Sequence, residues 1–364
     1  MFRKFIRTIL FLINLALALC LAITLMAGST NPNSFPMVSS LVLLFPYLFI
    51  INVLFFLFWV IRRKKAAFVS GIVLLCSFSA VGRTYQLFRG KPDLSGKETI
   101  VKILTYNTMS SFDFKKYSHN DTASGYGYIL AQNADIVFLQ EFATSNKSKH
   151  ITNEDIKTIF KDYKYQYIWF QKNTASLQSG MAIFSKFPIE KAQNIDIHSK
   201  YNSAVFADIK INDSIYRFIN LHLESNKITA VDNARLEDVI DNPGGKNVPE
   251  TTKFLTQKLS EAAKIRAKQA DIIAELIKKT PYKSIVCGDF NDVPLSYTYS
   301  TVKDGLNDAF VKSGKGLGLT YDRGFYKFRI DYILYNKNLK TSDLQVDKQK
   351  YSDHYPVHCL MYFP

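Results

Sequence analysis

Acidic residues are almost missing from the first quarter of this 364-residue chain: between Met1 and Leu94 the single carboxylate is Asp93. A soluble domain surface mixes both signs of charge, so this stretch is not one. Cysteine is scarce, with four in the whole chain. Cys20 and Cys76 lie in apolar stretches, and Cys287 and Cys359 lie in runs of strand character. None has paired metal-ligand spacing, which excludes a thiolate metal site and makes buried free thiols the expectation. Internal repeats and low-complexity tracts are absent. Beyond Leu94 there is no concentrated run of Lys or Arg either. That part carries 36 basic and 30 acidic residues, a net +6 out of the chain's +15. Much of the basic balance therefore belongs to the N-terminal end and is no footprint of a nucleic-acid partner.

Three uncharged apolar stretches occupy that end, at 9–27, 37–61 and 66–82. The first two have the length of about 20 residues that crosses a bilayer; the third is shorter and holds Gly71, Ser77 and Ser79. Arg3, Lys4 and Arg7 precede the first stretch, and Arg62, Arg63, Lys64 and Lys65 separate the second from the third. The segment between the first two has no charge. Basic flanks stay in the cytoplasm, so three spans make a multi-pass protein of the plasma or inner membrane whose C-terminal part is non-cytoplasmic. Arg83, Arg89 and Lys91 after the third stretch pull the other way. The expected division is a transmembrane region at 1–89, a linker at 90–98 and a catalytic domain at 99–364.

Past the linker come short apolar runs of strand character at 100–106, 136–140, 163–170, 180–184, 204–211, 215–223, 284–288, 328–335 and 356–363. Helical signals are fewer, at 125–133 and 156–163, and at 256–279, where Leu259, Ala263, Ala267, Ala270, Ile273 and Ile277 recur at helical spacing. The polar stretch 225–256 reads as a long loop at the lip of a substrate site. Strands covered by helices point to an α/β sandwich.

Six of these runs end in polar residues. Ile103-Leu104-Thr105-Tyr106-Asn107 stops at an amide, and Ile136-Val137-Phe138-Leu139-Gln140-Glu141 at a carboxylate. Phe218-Ile219-Asn220-Leu221-His222 carries an imidazole, and Gly288-Asp289-Phe290-Asn291 a carboxylate and an amide. Arg329-Ile330-Asp331-Tyr332-Ile333 sets a carboxylate among apolar neighbours, where it needs a partner. Ser352-Asp353-His354-Tyr355-Pro356-Val357 completes the set. Taken singly, Glu141 reads as a solvated strand end, His222 as a structural histidine and Asp353-His354 as a turn. Six such coincidences in one order need a common cause.

The ordered set resembles the exonuclease–endonuclease–phosphatase superfamily, the deoxyribonuclease-I-like phosphoesterases, over about residues 99–364. The resemblance implies an α+β fold, a four-layer α/β/β/α sandwich, here preceded by N-terminal transmembrane helices. It implies a Mg²⁺ or Mn²⁺ ion held by Glu141, with Asn107 and Asp353 nearby in the metal shell. It also gives Asp289 the role of deprotonating the attacking water and Asn291 that of holding that water or the phosphate. Asp331 would orient His354, and His222 would donate to a phosphoryl oxygen.

Together with the apolar N-terminal end, the resemblance implies a membrane-anchored, divalent-metal-dependent phosphoester hydrolase, read first as a nuclease. A sphingomyelinase-like or inositol-phosphatase-like enzyme acting on lipid headgroups or inositol phosphates is the rival. A catalytically silent membrane-bound binding module is the reading from another class, and the intact polar set weighs against it.

Overall fold

The computed structural model describes residues 1–110, 124–145, 151–174, 177–323 and 326–364. His119 and His150, two histidines that match no motif, lie outside the described residues. The chain forms two compact units. One holds Met1–Arg83, Ser225–Lys268 and Val293–Thr301; the other holds Thr84–Glu224, Gln269–Asp292 and Val302–Pro364.

In the first unit, Phe2–Ser29 and Pro36–Ile61 are helices long and apolar enough to cross a membrane. The third apolar stretch forms two helices, Ala67–Cys76 and Phe78–Thr84, bent by 53°. At the break the Ser77 hydroxyl donates to the Val73 carbonyl at 2.7 Å, a back-bond of the kind that bends helices. Four buried polar side chains join all three stretches. Asn14 Nδ2 donates to Ser70 Oγ (2.6 Å), Trp59 Nε1 to Asn14 Oδ1 (2.9 Å) and Ser70 Oγ to Asn52 Oδ1 (3.3 Å). Among apolar helices such bonds fix which faces meet.

The polar stretch after Ser225 is not a long loop. Thr229 and Asp232 cap each other reciprocally and start the helix Ala230–Asp241. A second helix begins at Val248 and runs to Lys279, eight residues earlier than its apolar repeat suggests, because Pro249 and Glu250 suit a first turn. Within this unit Ser260 Oγ lies 3.2 Å from Ser40 Oγ and donates to the Pro36 carbonyl at 3.3 Å. Asn33 Nδ2 donates to the Lys264 carbonyl at 3.4 Å.

The second unit is built from strands β1 (Thr99–Asn107), β2 (Ile136–Thr144), β3 (Tyr165–Asn173), β4 (Gln178–Ser185), β5 (Ile189–Ile195), β6 (Ser203–Ile211) and β7 (Ser214–His222). It continues with β8 (Lys283–Asp289), β9 (Leu306–Asp308), β10 (Tyr321–Arg323), β11 (Tyr326–Phe328), β12 (Asp331–Asn336), β13 (Lys340–Val346) and β14 (Val357–Phe363). One six-stranded sheet has the order β13-β14-β1-β2-β4-β3 and the other β5-β6-β7-β8-β12-β9; β10 and β11 pair separately. The sheets pack face to face, with Ile103, Phe138, Ile183 and Cys359 of the first meeting Val205, Phe218, Ile285 and Ile333 of the second. The first sheet's other face buries Leu104, Val137 and Leu139 against Ile129 and Ile156 of the helices Gly125–Ala131 and Asn153–Ile159. The second sheet's other face is buried at Ile219, Leu221 and Val286, and so are Ala270 and Ile273 of the long helix. The fold is α+β, two sheets with helices, as the sequence led us to expect.

Bonds to this unit are made on either side of the start of residues 90–98, which read as a linker. Gln86 and Gly316 exchange backbone hydrogen bonds of 2.9 and 2.8 Å, and Lys340 Nζ donates to the Asp93 carbonyl.

Candidate active site

Strand pairing assembles the polar strand ends. β1 and β2 run parallel with Asn107 beside Gln140, which puts Glu141 one residue on. β7 and β8 run parallel with His222 beside Asp289, and antiparallel β12 sets Asp331 on the other side of Asp289. The two parallel pairings stop at Asn107/Gln140 and at His222/Asp289, while β2 runs on beside β4 to Thr144. Glu141 lies in the left-handed region (φ 48°), at the irregularity between Leu139 and Phe142 in the β2–β4 pairing. Such a bulge re-aims a side chain. Gly288 has φ +123°, and a Cβ there would come within 2.1 Å of the Leu221 carbonyl oxygen. The glycine therefore answers to the neighbouring strand and not to a ligand.

The side chains converge on Asp289. Its Oδ2 receives Asn107 Nδ2 at 3.0 Å and Asn291 Nδ2 at 3.2 Å, while its Oδ1 receives the Asn291 backbone N–H at 2.7 Å. His354 Nε2 is 3.6 Å and His222 Nε2 is 3.8 Å from the same Oδ2. On its other nitrogen, Nδ1, His354 meets Asp331 Oδ2 at 2.9 Å. Burial penalises charge on His354, yet the Asp331 and Asp289 carboxylates outweigh it and raise its pKa strongly. The imidazole is thus held protonated between two carboxylates. Burial, aided by Asp331, pushes the Asp289 carboxyl above the usual carboxylate range, against the pull of the two histidines. A carboxylate so raised is a better base than an exposed one.

Glu141 stands apart by exposure. Its side chain is 34% accessible, whereas Asp289 and Asp331 are almost fully buried. It accepts from Asn107 Nδ2 at 3.2 Å and lies 3.6 Å from His222 Nε2. Asp353 lies close enough to help raise the His354 pKa, and its Oδ2 is 3.7 Å from Arg323 Nη1. Among the described residues, Asp289, Asp331 and His354 form a cluster whose ligand atoms lie within 4.8 Å of one another. His354 supplies one of the three candidate ligand atoms of that cluster and is bonded to Asp331 within it, an arrangement that also suits proton handling. Glu141 and Asp353 are more accessible than Asp289 and Asp331, and oxygen donors of this kind are what a hard divalent cation takes. Asn107 turns its amide nitrogen toward Glu141 and Asp289 while its Oδ1 accepts from the Met109 N–H at 3.0 Å. In this orientation it aligns the carboxylates.

Several contributors carried no signal of their own. Asn202 Nδ2 sits 3.1 Å from His222 Nε2 and donates to the Leu223 carbonyl at 3.0 Å. Gln140 Nε2 donates to Asn220 Oδ1 at 2.6 Å, joining the two sheets beneath the site. Asn220 Nδ2 in turn donates to the Leu139 and Ala182 carbonyls at 3.1 and 3.2 Å. Both amides sit inside motifs read from the sequence, but only the structure gives them partners. Glu224 bonds to Ser199 and Gln269, outside the cluster around Asp289.

Two packed sheets with carboxylates, amides and imidazoles gathered at their strand ends make a phosphoester hydrolase of the deoxyribonuclease-I-like kind. The family model described as the Endonuclease/Exonuclease/phosphatase family matches residues 104–354, and the chain belongs to that family. Its members depend on a divalent metal ion. Residues 7–84 match a model described only as a domain of unknown function. No curated protein matches the chain. Among solved structures, an endonuclease/exonuclease/phosphatase family protein from Leptotrichia buccalis is similar, at 18% identity and TM-score 0.49, over 72% of this chain and 100% of that one. A humanized D. rerio TDP2 is similar at 17% identity and TM-score 0.48, over 72% and 98%. Sphingomyelinase C from Streptomyces griseocarneus is similar at 16% identity and TM-score 0.46, over 73% and 100%.

Proposed function

We propose that this protein is a membrane-anchored phosphodiesterase acting on nucleic acid with Mg²⁺ or Mn²⁺. The observation that carries the reading is the convergence on Asp289, with two imidazoles and two amides around one buried carboxylate whose pKa is raised. In this reading Asp289 takes the proton of the attacking water, and Asn291 holds that water or a phosphoryl oxygen. His354, kept protonated by Asp331, supplies positive charge and a donor to the phosphate as it becomes crowded. His222 donates to a second non-bridging oxygen. Glu141, with Asp353 and Asn107 nearby, holds the ion, which when bound neutralises charge on the phosphoryl oxygens. The net +6 of the residues after Leu94 favours a polyanionic substrate.

The apolar helices support anchoring, with residues 1–89 in and around the bilayer and 99–364 as the catalytic domain. Charge supports one sidedness. Arg3, Lys4 and Arg7, together with 62–65, assign those ends to the cytoplasm. With three spans this favours a non-cytoplasmic catalytic domain. Anchoring also suits a second reading, hydrolysis of lipid headgroups, since it would keep the site near a bilayer.

A substrate panel tests the proposal. Purified full-length protein in detergent should degrade DNA or RNA in the presence of Mg²⁺ or Mn²⁺, and Asp289→Ala should not. Turnover of sphingomyelin or inositol phosphates with nucleic acid untouched would replace the first reading by the second. A C-terminal reporter fusion active only in the cytoplasm would overturn the sidedness.

A further inference from the structure

Glu141 stands where a plain strand would not put it. Side chains alternate along β2: Ile136 and Phe138 face the second sheet, and Val137 and Leu139 face the helices. Continued without a break, that alternation would send Glu141 to the helix-covered face, among apolar groups that exclude a carboxylate. Phe142 occupies that face instead. The phase slips because Gln140 and Glu141 fall together inside the irregularity between Leu139 and Phe142. With its backbone at φ 48°, Glu141 turns its carboxylate toward Asn107 and His222.

A left-handed backbone is uncommon for any residue but glycine, and it persists where the surroundings over-determine it. Thr108, buried at the end of β1 just after Asn107, supplies that constraint. Its N–H donates to the Gln140 carbonyl at 2.9 Å. Its hydroxyl donates to the same carbonyl at 3.2 Å and to the Glu141 carbonyl at 3.1 Å. Successive carbonyls of an extended strand point to opposite edges. One hydroxyl can reach both only when the chain between them is bent, as it is at Glu141. Asn107 meanwhile holds the head of the same residue, with Nδ2 3.2 Å from Glu141 Oε1. Two consecutive residues thus fix the carboxylate and the backbone of Glu141.

We infer that Thr108 is a positioning residue for the divalent ion: its hydroxyl keeps Glu141 in the bent backbone form that presents the carboxylate to the ion. This rests on the reading of Glu141 as the ion's carboxylate. Thr108 itself touches neither ion nor substrate. Mg²⁺ demands near-ideal octahedral geometry, so a carboxylate released from its bend is a poorer ligand although its charge is intact. Groups that orient a ligand from behind set metal affinity for this reason.

The test is Mn²⁺ binding to the full-length protein in detergent, measured by isothermal titration beside the melting temperature of each variant. Thr108→Val keeps the shape and removes the donor, whereas Thr108→Ser keeps the donor. Thr108→Val should weaken Mn²⁺ binding by about 10- to 100-fold, and Thr108→Ser should bind close to wild type. Thr108→Ala differs from the serine variant by the oxygen alone; it should bind as weakly as the valine variant, and it replaces that variant should valine prevent folding. Valine and alanine variants that bind Mn²⁺ like wild type, with Glu141→Gln binding weakly, overturn the inference and leave the ion reading in place. Equal weakening in all three Thr108 variants also overturns it, since the hydroxyl is then not the cause. Unchanged binding by Glu141→Gln removes the ion reading itself.

Discussion

Asp289 and Asp331 stand side by side in the antiparallel pairing of β8 and β12, and one imidazole spans them, with His354 Nδ1 2.9 Å from Asp331 and Nε2 3.6 Å from Asp289. Two buried carboxylates this close would repel one another. The protonated His354 between them turns that repulsion into a reason for its own charge. Removing the Asp331 charge should therefore act through His354. Asp331→Asn is expected to lower kcat by on the order of 10²–10³. It should also bring the His354 pKa down toward the ordinary imidazole value, as read by NMR titration. A variant with unchanged kcat would detach His354 from the chemistry.

Glu141 is the most solvent-open carboxylate of the buried cluster, and the ion requirement should be sensitive to it. Glu141→Gln is expected to raise the Mg²⁺ concentration giving half-maximal activity by at least tenfold, with the melting temperature little changed. Isothermal titration with Mn²⁺ gives the same answer without turnover. Equal ion affinity in the variant and wild type would move the ion to another set of residues.

Asn220 reaches across from β7 to Gln140 of β2 and to two carbonyls of the first sheet. Asn220→Leu leaves those buried groups without their partner, so it should destabilise the protein by about 1–3 kcal/mol. It should also reduce kcat although it removes no group proposed to touch substrate. Denaturant unfolding and steady-state rates measure the two effects; loss of stability alone would make the bridge purely structural.

On the opposite side of β14, Asp347 accepts from the Tyr128 hydroxyl at 2.6 Å and lies 3.2 Å from His358 Nε2. The His358 hydrogen bond holds its carboxyl below the usual range. A depressed carboxylate stabilises the fold fully above its unfolded pKa of about 3.9 and loses that contribution as pH falls through the folded value. Asp347→Asn should thus melt below wild type at pH 7, and the gap should close as pH falls below about 4. A gap constant with pH would assign the effect to packing.

Nine of the described strands were legible because apolar runs broken by turn residues announce them. The five that were not are of two kinds. β5 (Ile-Glu-Lys-Ala-Gln-Asn-Ile) and β13 (Lys-Thr-Ser-Asp-Leu-Gln-Val) are sheet edges, where one side meets water and polar residues dilute the pattern. β9, β10 and β11 have three residues each, too few for any period. The helix Ala230–Asp241 had a visible cap in Thr229 and Asp232, but its weak apolar face masked it. At the site, eight residues could be singled out because a carboxylate, amide or imidazole closing an apolar run is conspicuous. Asn202 and the Gln140–Asn220 bridge could not, since each takes its meaning from a neighbour far away in sequence.

Gly288 holds a further consequence. One register position before the His222–Asp289 pair, its φ of +123° would aim a Cβ to within 2.1 Å of the Leu221 carbonyl oxygen on the adjacent strand. A side chain here would strain the backbone or shift the strand beside it, so a substitution at Gly288 disturbs the site without touching any of its reactive groups.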